Sequence, residues 1–359
     1  MKDSIDEMVT VSAGSGEISS FTSVEITAGF NEAARSFRLS VAAEEGPAAT
    51  ARKLVCGTAV TITANGDLLV TGYVDRYQPQ LRRGEAIIHV SGRGKGQDFV
   101  DCSADIDGGR FENQTLLQMA QQLDKFGVGV HSTTKLEPIP FYQITPGETV
   151  FRLLERLARS QGVTLTGKPD GSIEIAGSSS GSNGALIEGQ NIRDISVDHN
   201  WANRHSKITV RGQSPIGTGE ENQEIEDDED DVAVDRFRPL ILLQDDATDK
   251  KRAKRRAGYR RNREAGRSLQ AQITVPGWHD DGGQLWSPGA LVWCESPFAA
   301  LAQNMLIERV VFHQQRKHGS TATLDLVDPQ AYGAEGSKSN DSDDMWDSGA
   351  DKAADDDEE

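Results

Sequence analysis

One stretch of the chain comes back. Val60–Gly94 reads VTITANGDLLVTGYVDRYQPQLRRGEAIIHVSGRG. Val60, Ile62, Leu68, Val70, Tyr73 and then Ile87, Ile88 and Val90 fall in short runs. Asn65-Gly66, Gly72 and Arg82-Arg83-Gly84 punctuate them, which predicts a three-stranded antiparallel meander. Ala290–Val327 reads ALVWCESPFAALAQNMLIERVVFHQQRKHGSTATLDLV. Here a strand at Leu291–Cys294 leads to a second run, Met305–Phe312. The basic turn Lys317-His318-Gly319 then leads to an alternating strand, Thr321–Val327. The copies share order, turn chemistry and spacing but little identity, and two unrelated meanders would also look alike. A true duplication predicts two related small β-barrels in one chain.

The 359 residues allow two or three domains, each with its own core. A hydrophobic share of 36% with 36 glycines favours several small, loop-rich β units and disordered segments over one large α/β core. The net charge of −18 is unevenly placed. Much of it lies in Glu220–Asp231 and Asp341–Glu359, which read as solvated runs, and the remainder is near neutral. Cys56, Cys102 and Cys294 form no CxxC pair and have no His at ligand spacing, so buried reduced thiols are expected. No signal h-region opens the sequence, and no run approaches the roughly 20 apolar residues of a membrane span. A protein made and assembled in the cytoplasm, without membrane insertion, is the expectation.

Taken in order, Met8–Ala13, Ser23–Ala28 and Phe37–Ala42 alternate as half-buried strands that feed the first meander. Residues 1–100 therefore read as a first antiparallel β-barrel. Residues 101–177 read as an α/β module. A helix spans Asn113–Phe126, and a second opens at Thr145-Pro146-Gly147-Glu148 with Thr145 as N-cap and Pro146 at N1. A short strand lies at Val128–His131, and a hairpin joins Val163–Thr166 to Ser172–Ala176 across Lys168-Pro169-Asp170-Gly171. Gly177–Gly184 is a Gly/Ser linker. Residues 185–332 read as a second β-barrel region. Its strands at Ile192–Val197 and Ser206–Gln213 either begin that barrel or complete the first, and an acidic loop at 215–235 is expected to be disordered. Gln270–Val275 is a further strand, and residues 333–359 form a disordered acidic tail. The fold class is α+β, mostly β.

Four places invite chemistry. Gly92–Asp98 follows a strand and carries Lys95, yet no Ser or Thr follows the lysine and GxGxxG fails as well. His279 beside Asp280 and Asp281 offers metal or acid–base types, but neighbours on an extended chain point apart and no second His or Cys lies close; a turn is expected. Glu148 and Glu155 lie seven apart on a helix, an ordinary solvated face rather than a carboxylate pair. The basic run Asp246–Arg267 interleaves alanines with acidic Asp249 and Glu264 and carries a single aromatic, Tyr259. It reads as a solvated helix ahead of a strand, with a nucleic-acid passage or neutralisation of the acidic loop as the alternatives. HExxH and paired CxxC motifs are absent, and no Ser-His-Asp grouping stands in motif context, so no catalytic, cofactor or metal residue is assigned and no enzyme is expected.

Four segments together, Gly72–Ala104, Thr145–Ile175, Ala257–Trp278 and Leu285–Phe312, give the chain a resemblance to the baseplate hub (tail) proteins of Mu-like contractile phages. Those proteins are related in fold to the T-even phage hub and to the base of type VI secretion spikes. The resemblance implies a homotrimer in which each chain gives two tube-type barrels. The pseudo-hexameric ring would match a six-fold tail tube protein on one side and a three-fold central spike protein on the other, among other baseplate proteins. It implies residence in the virion baseplate, assembly in the host bacterial cytoplasm, and a channel through which DNA passes without sequence-specific binding. Such a wall should avoid strong attraction to phosphate. The alternatives are a cell-wall (peptidoglycan) binding or degrading tail protein built round Thr145–Ile175, and a nucleic-acid binder using Lys250–Arg267.

Overall fold

The residues that alternate in the sequence alternate in burial. The structure, a computed structural model, describes residues 7–332 except 15, 43–53, 83–84, 178, 180, 213–224, 245–249 and 317–318. The acidic tail and the first half of the expected acidic loop thus lie outside the described residues. The chain opens with β1 (Val9–Ala13), β2 (Gly16–Ile18), β3 (Ser23–Gly29) and β4 (Ser36–Ala42), followed by β5 (Ala59–Ala64), β6 (Asp67–Arg82) and β7 (Glu85–Gly94). The last three are the predicted meander, with β6 antiparallel to both neighbours. Val24, Ile26, Phe37, Leu39, Ile62, Val70, Ile88 and Val90 turn to one face and are buried, as the period of two requires.

A module follows. It contains α1 (Gln97–Asp101), β8 (Arg110–Thr115), α2 (Leu116–Leu123), β9 (Val130–Ser132), β10 (Pro138–Gln143), α3 (Val150–Gln161), β11 (Thr164–Gly167) and β12 (Ile173–Ala176). Leu116, Met119, Leu123, Leu153, Leu154, Leu165 and Ile175 make its own core. Both helix starts differ from expectation. Helix α2 begins at Leu116, because Thr115 and Gln118 close a capping box over it. Helix α3 begins at Val150 under Thr149, whose hydroxyl accepts from Arg152 N at 3.4 Å. Thr145–Glu148 instead makes a turn, Glu148 N donating to Thr145 O. The buried Arg35 guanidinium ties module to sheet, donating to Leu69 O (3.1 Å) and Gly167 O (3.4 Å). Burial pulls its pKa down to about 10 against the attraction of Asp170.

The remaining strands are β13 (Ser182–Ile187), β14 (Asp194–His199), β15 (Lys207–Gly212), β16 (Ile225–Asp230) and β17 (Pro239–Gln244). Helix α4 (Lys250–Arg267) leads to β18 (Leu269–Pro276), β19 (Leu291–Ser296), β20 (Leu301–Gln315) and β21 (Gly319–Val327), and a 3-10 turn at Pro329–Tyr332 closes the described chain. The second meander is therefore present as β19-β20-β21. Two corrections concern the loops around it. The end of the expected Gly/Ser linker, Ser182–Gly184, belongs to β13, which pairs with β19. Ile225–Asp230, expected to be disordered, is a strand because β15 pairs along its whole length.

The expected pair of separate barrels is not what forms. One path, β14-β18-β21-β20-β3-β4-β7-β6-β5-β1-β2, runs through both halves, with β19 and β13 branching from β20, and the sheets are not closed into barrels. The physical reason is the pairing of β3 with β20, which makes the halves continuous over one hydrophobic core. Strand β14 joins the second half through β18, whereas β15 leaves for a small sheet with β16 and β17. Of the cysteines only Cys294 is buried; Cys56 is exposed and Cys102 half-buried.

Candidate functional site

The two halves correspond strand by strand. The order β3-β4-β7-β6-β5 in the first is repeated as β14-β18-β21-β20-β19 in the second, while the sixth strand differs, β1 lying antiparallel to β5 and β13 parallel to β19. The registers agree as well. Tyr73 pairs with Arg93 and Ala59 in the first half; Leu306 pairs with Val327 and Leu291 in the second. One position later each long strand slips its register, between Val74 and Arg76 and between Ile307 and Arg309. The residue bulged out is an acid both times, Asp75 and Glu308. Sequence reasoning found the meanders but missed these acids. The signal was there, since Val74-Asp75-Arg76 and Ile307-Glu308-Arg309 share apolar–acid–arginine order.

Each bulge carboxylate is held by an arginine. Arg93 reaches Asp75 (2.7 Å) and Asp101 at the end of α1 (2.8 Å). Those hydrogen bonds, to Asp101 first, raise the Arg93 pKa, and Arg93 in turn lowers that of Asp101. Lys95 and the glycines around it thus belong to a turn beside a structural ion triad. In the second half Arg267, the last residue of α4, meets Glu308 at 2.5 Å, and Tyr332 Oη donates to the same carboxylate. Burial pushes the Tyr332 phenol well up.

At the seam, seven residue pairs run from Ser23↔Gln315 to Gly29↔Arg309. Ile26 and Phe312 are opposite one another and fully buried, and the Phe312 ring lies 5.2 Å from Trp278. Trp278 Nε1 donates to His313 O at 3.1 Å. Arg309 pairs with Glu32 at 2.6 Å across the end of the seam.

The other candidate residues find structural partners. His279 lies between Asp67 (2.9 Å) and Glu7 (3.4 Å), and Glu7 also accepts from Trp278 N and Asn65 Nδ2. Asp280 accepts from Gln284 N (2.8 Å), Gly184 N (3.0 Å) and Asn183 Nδ2 (3.1 Å). The turn expected there is present, Gly283 N donating to Asp280 O. Among the described residues no group of His, Cys, Asp or Glu has an arrangement that would hold a metal ion. Glu148 is buried under Tyr142 (2.9 Å) and Arg156 (2.6 Å), and Glu155 pairs with Arg159, so each acid has its own cation.

The basic run forms α4, whose Ala253 and Ala257 pack on Ile208, Val210 and Ile225 of the small sheet. Arg261 reaches Glu229 of the acidic strand at 3.0 Å, Arg260 pairs with Glu264, and Glu264 also meets His205. Arg211–Glu226 and Lys207–Asp228 bridge β15 to β16. The run is thus a helix ahead of a strand, as read from the sequence, and through Arg261 it also neutralises Glu229 of the acidic stretch, one of the alternatives raised for it. No described helix is long and apolar enough to cross a membrane.

Three family models match in chain order: Mu phage baseplate assembly protein GpP-like, N-terminal, at residues 8–94; baseplate hub protein gp44-like, second domain, at 96–177; and Mu phage baseplate assembly protein GpP, fourth domain, at 249–335. The 43 kDa tail protein of prophage MuSo2 from Shewanella oneidensis is 31% identical and superposes with a TM-score of 0.81, over 90% of this chain and 99% of that one. The chain belongs to the Mu-like phage baseplate hub family. The baseplate hub protein gp44 of Escherichia phage Mu is 27% identical over 338 residues, 90% of this chain and 88% of that one. A type VI secretion component of E. coli, described as similar to the T4 tail proteins gp27 and gp5, shares the fold alone: 11% identity, TM-score 0.50, covering 86% of this chain and 73% of that one. The hub chain is thus a structural, virion-associated component of a contractile tail baseplate, and its homologues are structural proteins rather than enzymes. Its segments carry the family likeness where the sequence resemblance placed it.

Proposed function

We propose that three hub chains form a pseudo-hexameric ring that joins the six-fold tail tube to the three-fold central spike and leaves a channel for DNA. The observation that carries this reading is the internal duplication. A chain holding two equivalent five-strand units offers six similar units per trimer on one side while keeping true three-fold symmetry on the other. Assembly then takes place in the host cytoplasm, with other baseplate proteins around the ring. The sheet face turned away from the core suits a channel wall. It mixes Glu25, Arg38, Arg76, His89 and His313 with serines and glutamines, and Arg38 is paired to Glu25 at 3.2 Å. With the histidines counted neutral, its two arginines and one glutamate leave a single positive charge, a weak attraction for phosphate. The cell-wall alternative draws no support from Glu148 and Glu155, whose carboxylates are each engaged by an arginine. Light scattering of the purified chain over a concentration series tests the ring. A mass three times that of one chain is expected, and a mass that stays at one chain, alone and after mixing with the spike protein, overturns it.

A further inference from the structure

The seam inside the chain has two loose ends that match each other. In the first half β3 is covered by β20; its counterpart in the second half, β14, pairs only with β18 among the described residues. In the second half β20 is covered by β3 beyond its bulge. Its counterpart β6 is paired with β5 only as far as Tyr73, so among the described residues no strand lies on that edge from Arg76 onward. We infer that β14 of one hub chain pairs antiparallel with the outer edge of β6 in a second copy, repeating the β3–β20 seam between chains. This deepens the ring reading and rests on it for the number of copies.

The duplication fixes the register. Ile26 opposite Phe312 translates to Val197 opposite Pro79, and Val24 opposite Gln314 translates to Ile195 opposite Leu81. Ala28 opposite Val310 becomes His199 opposite Tyr77. The burial pattern supports the translation. Val24 and Ile26 are 2% and 0% exposed because the seam covers them, whereas Ile195 and Val197 in the same places are only partly buried. On the other edge Leu81 is 77% exposed and Tyr77 is half-buried against the core. The pairing would bring these apolar positions onto one face and extend the core from chain to chain.

The backbone is ready for it. Asn200 N donates to Ser268 O at 2.7 Å, which sets the alternation along β14. The amides and carbonyls of Ile195 and Val197 therefore point away from β18, to the open side. In the seam, Arg316 N donating to Thr22 O and Phe30 N to Glu308 O make Ile26–Phe312 a hydrogen-bonded pair. Ile195–Leu81 and Val197–Pro79 are the hydrogen-bonded pairs of the inferred ladder. Pro79 accepts there but cannot donate, which also makes this edge a poor template for unrelated strands.

Gln80 and Ser196 stand where His313 and Glu25 face each other in the seam, as a non-hydrogen-bonded pair with Cα atoms about 4.5 Å apart. That spacing accepts a disulfide. Within one chain the two positions lie on β6 and β14, far apart along the sheet path, so a bond between them is intermolecular. The test is a full-length Gln80→Cys/Ser196→Cys chain with Cys56→Ser, oxidised mildly and run beside light scattering. A covalent trimer is expected, with a covalent dimer from a mixture of the two single variants. Leu81→Asp, at an exposed position, should weaken self-association at least tenfold without changing the circular dichroism of the single chain. A trimer that fails to cross-link, or that cross-links as fast through the offset pair Gln78→Cys/Ser196→Cys, overturns the pairing and leaves the ring standing. Cross-linked ladders running past three chains keep the pairing and overturn the closed ring. A single-chain mass at every concentration, with no cross-link, overturns both.

Discussion

Asp280 stands on the turn whose residue types first suggest a metal or acid–base site, and its surroundings put it to structural use. Burial by itself would raise the carboxyl, but the donors from Gln284, Asn183 and Gly184 win and hold it below the ordinary carboxylate range. A carboxyl with its folded pKa below its unfolded value adds stability that is complete above about pH 4 and fades as pH falls through the folded pKa. Gln284 N bonds one oxygen and Gly184 N the other. Asp280→Asn must therefore set an amide NH2 against one of these donors, whichever way it flips. We expect a loss of roughly 1–2 kcal/mol at pH 7. In urea unfolding, the gap between variant and wild type should close as the pH drops below about 4. A gap that is the same at pH 7 and pH 3 would show that the charge plays no part.

At the scale of elements, α4 offers a contest between propensity and contact. Gly258 and Gly266 both sit in this helix, where alanine is favoured by about 1 kcal/mol. A Cβ on Gly258 meets nothing nearer than Glu229 Cγ at 4.0 Å, so Gly258→Ala should stabilise by up to about 1 kcal/mol. A Cβ on Gly266 would lie 2.1 Å from Ala331 N, where the helix packs on the 3-10 turn. Backbone cannot step aside cheaply, and overpacking of this kind costs about 1–3 kcal/mol, so Gly266→Ala should destabilise despite its better propensity. Thermal melting of the two variants checks both signs, and a stabilised Gly266→Ala would refute the contact. Local signals of this sort also mark how much of the fold was legible. The meanders were, because turn residues and a period of two agree over β5-β6-β7 and β19-β20-β21. Strand β16 was not: in Ile225–Asp230 only Ile225 is apolar, and the strand exists because β15 pairs with it and Arg211 and Arg261 neutralise Glu226 and Glu229. Thr145-Pro146 carries every sign of a helix start, yet Thr149 takes the cap.

At the scale of the molecule, the seam was hidden because it joins residues 23–29 to 309–315, a pairing that no local pattern announces. The candidate assembly edges were hidden with it, since they are defined only by comparison with the seam. Joining the halves this way has a consequence for stability. The sheet has one core drawn from both halves, whereas the module between them has its own. Phe312 sits in the shared core at the junction, fully buried against Trp278. Phe312→Ala should cost about 3–5 kcal/mol through lost contacts and the cavity left behind. Because both halves lean on it, amide exchange should accelerate together in β4 of the first half and β18 of the second, which are not adjacent in the sheet. Leu154, equally buried in the module, provides the contrast. Leu154→Ala should cost about 2–5 kcal/mol and speed exchange in α3, β11 and β12 with little change in β18. Exchange measured by mass spectrometry on both variants separates the cases. If Phe312→Ala loosened β18 and left β4 protected, the two halves would be independent units joined only by hydrogen bonds. The duplication would then have kept two separate folds instead of merging them into one.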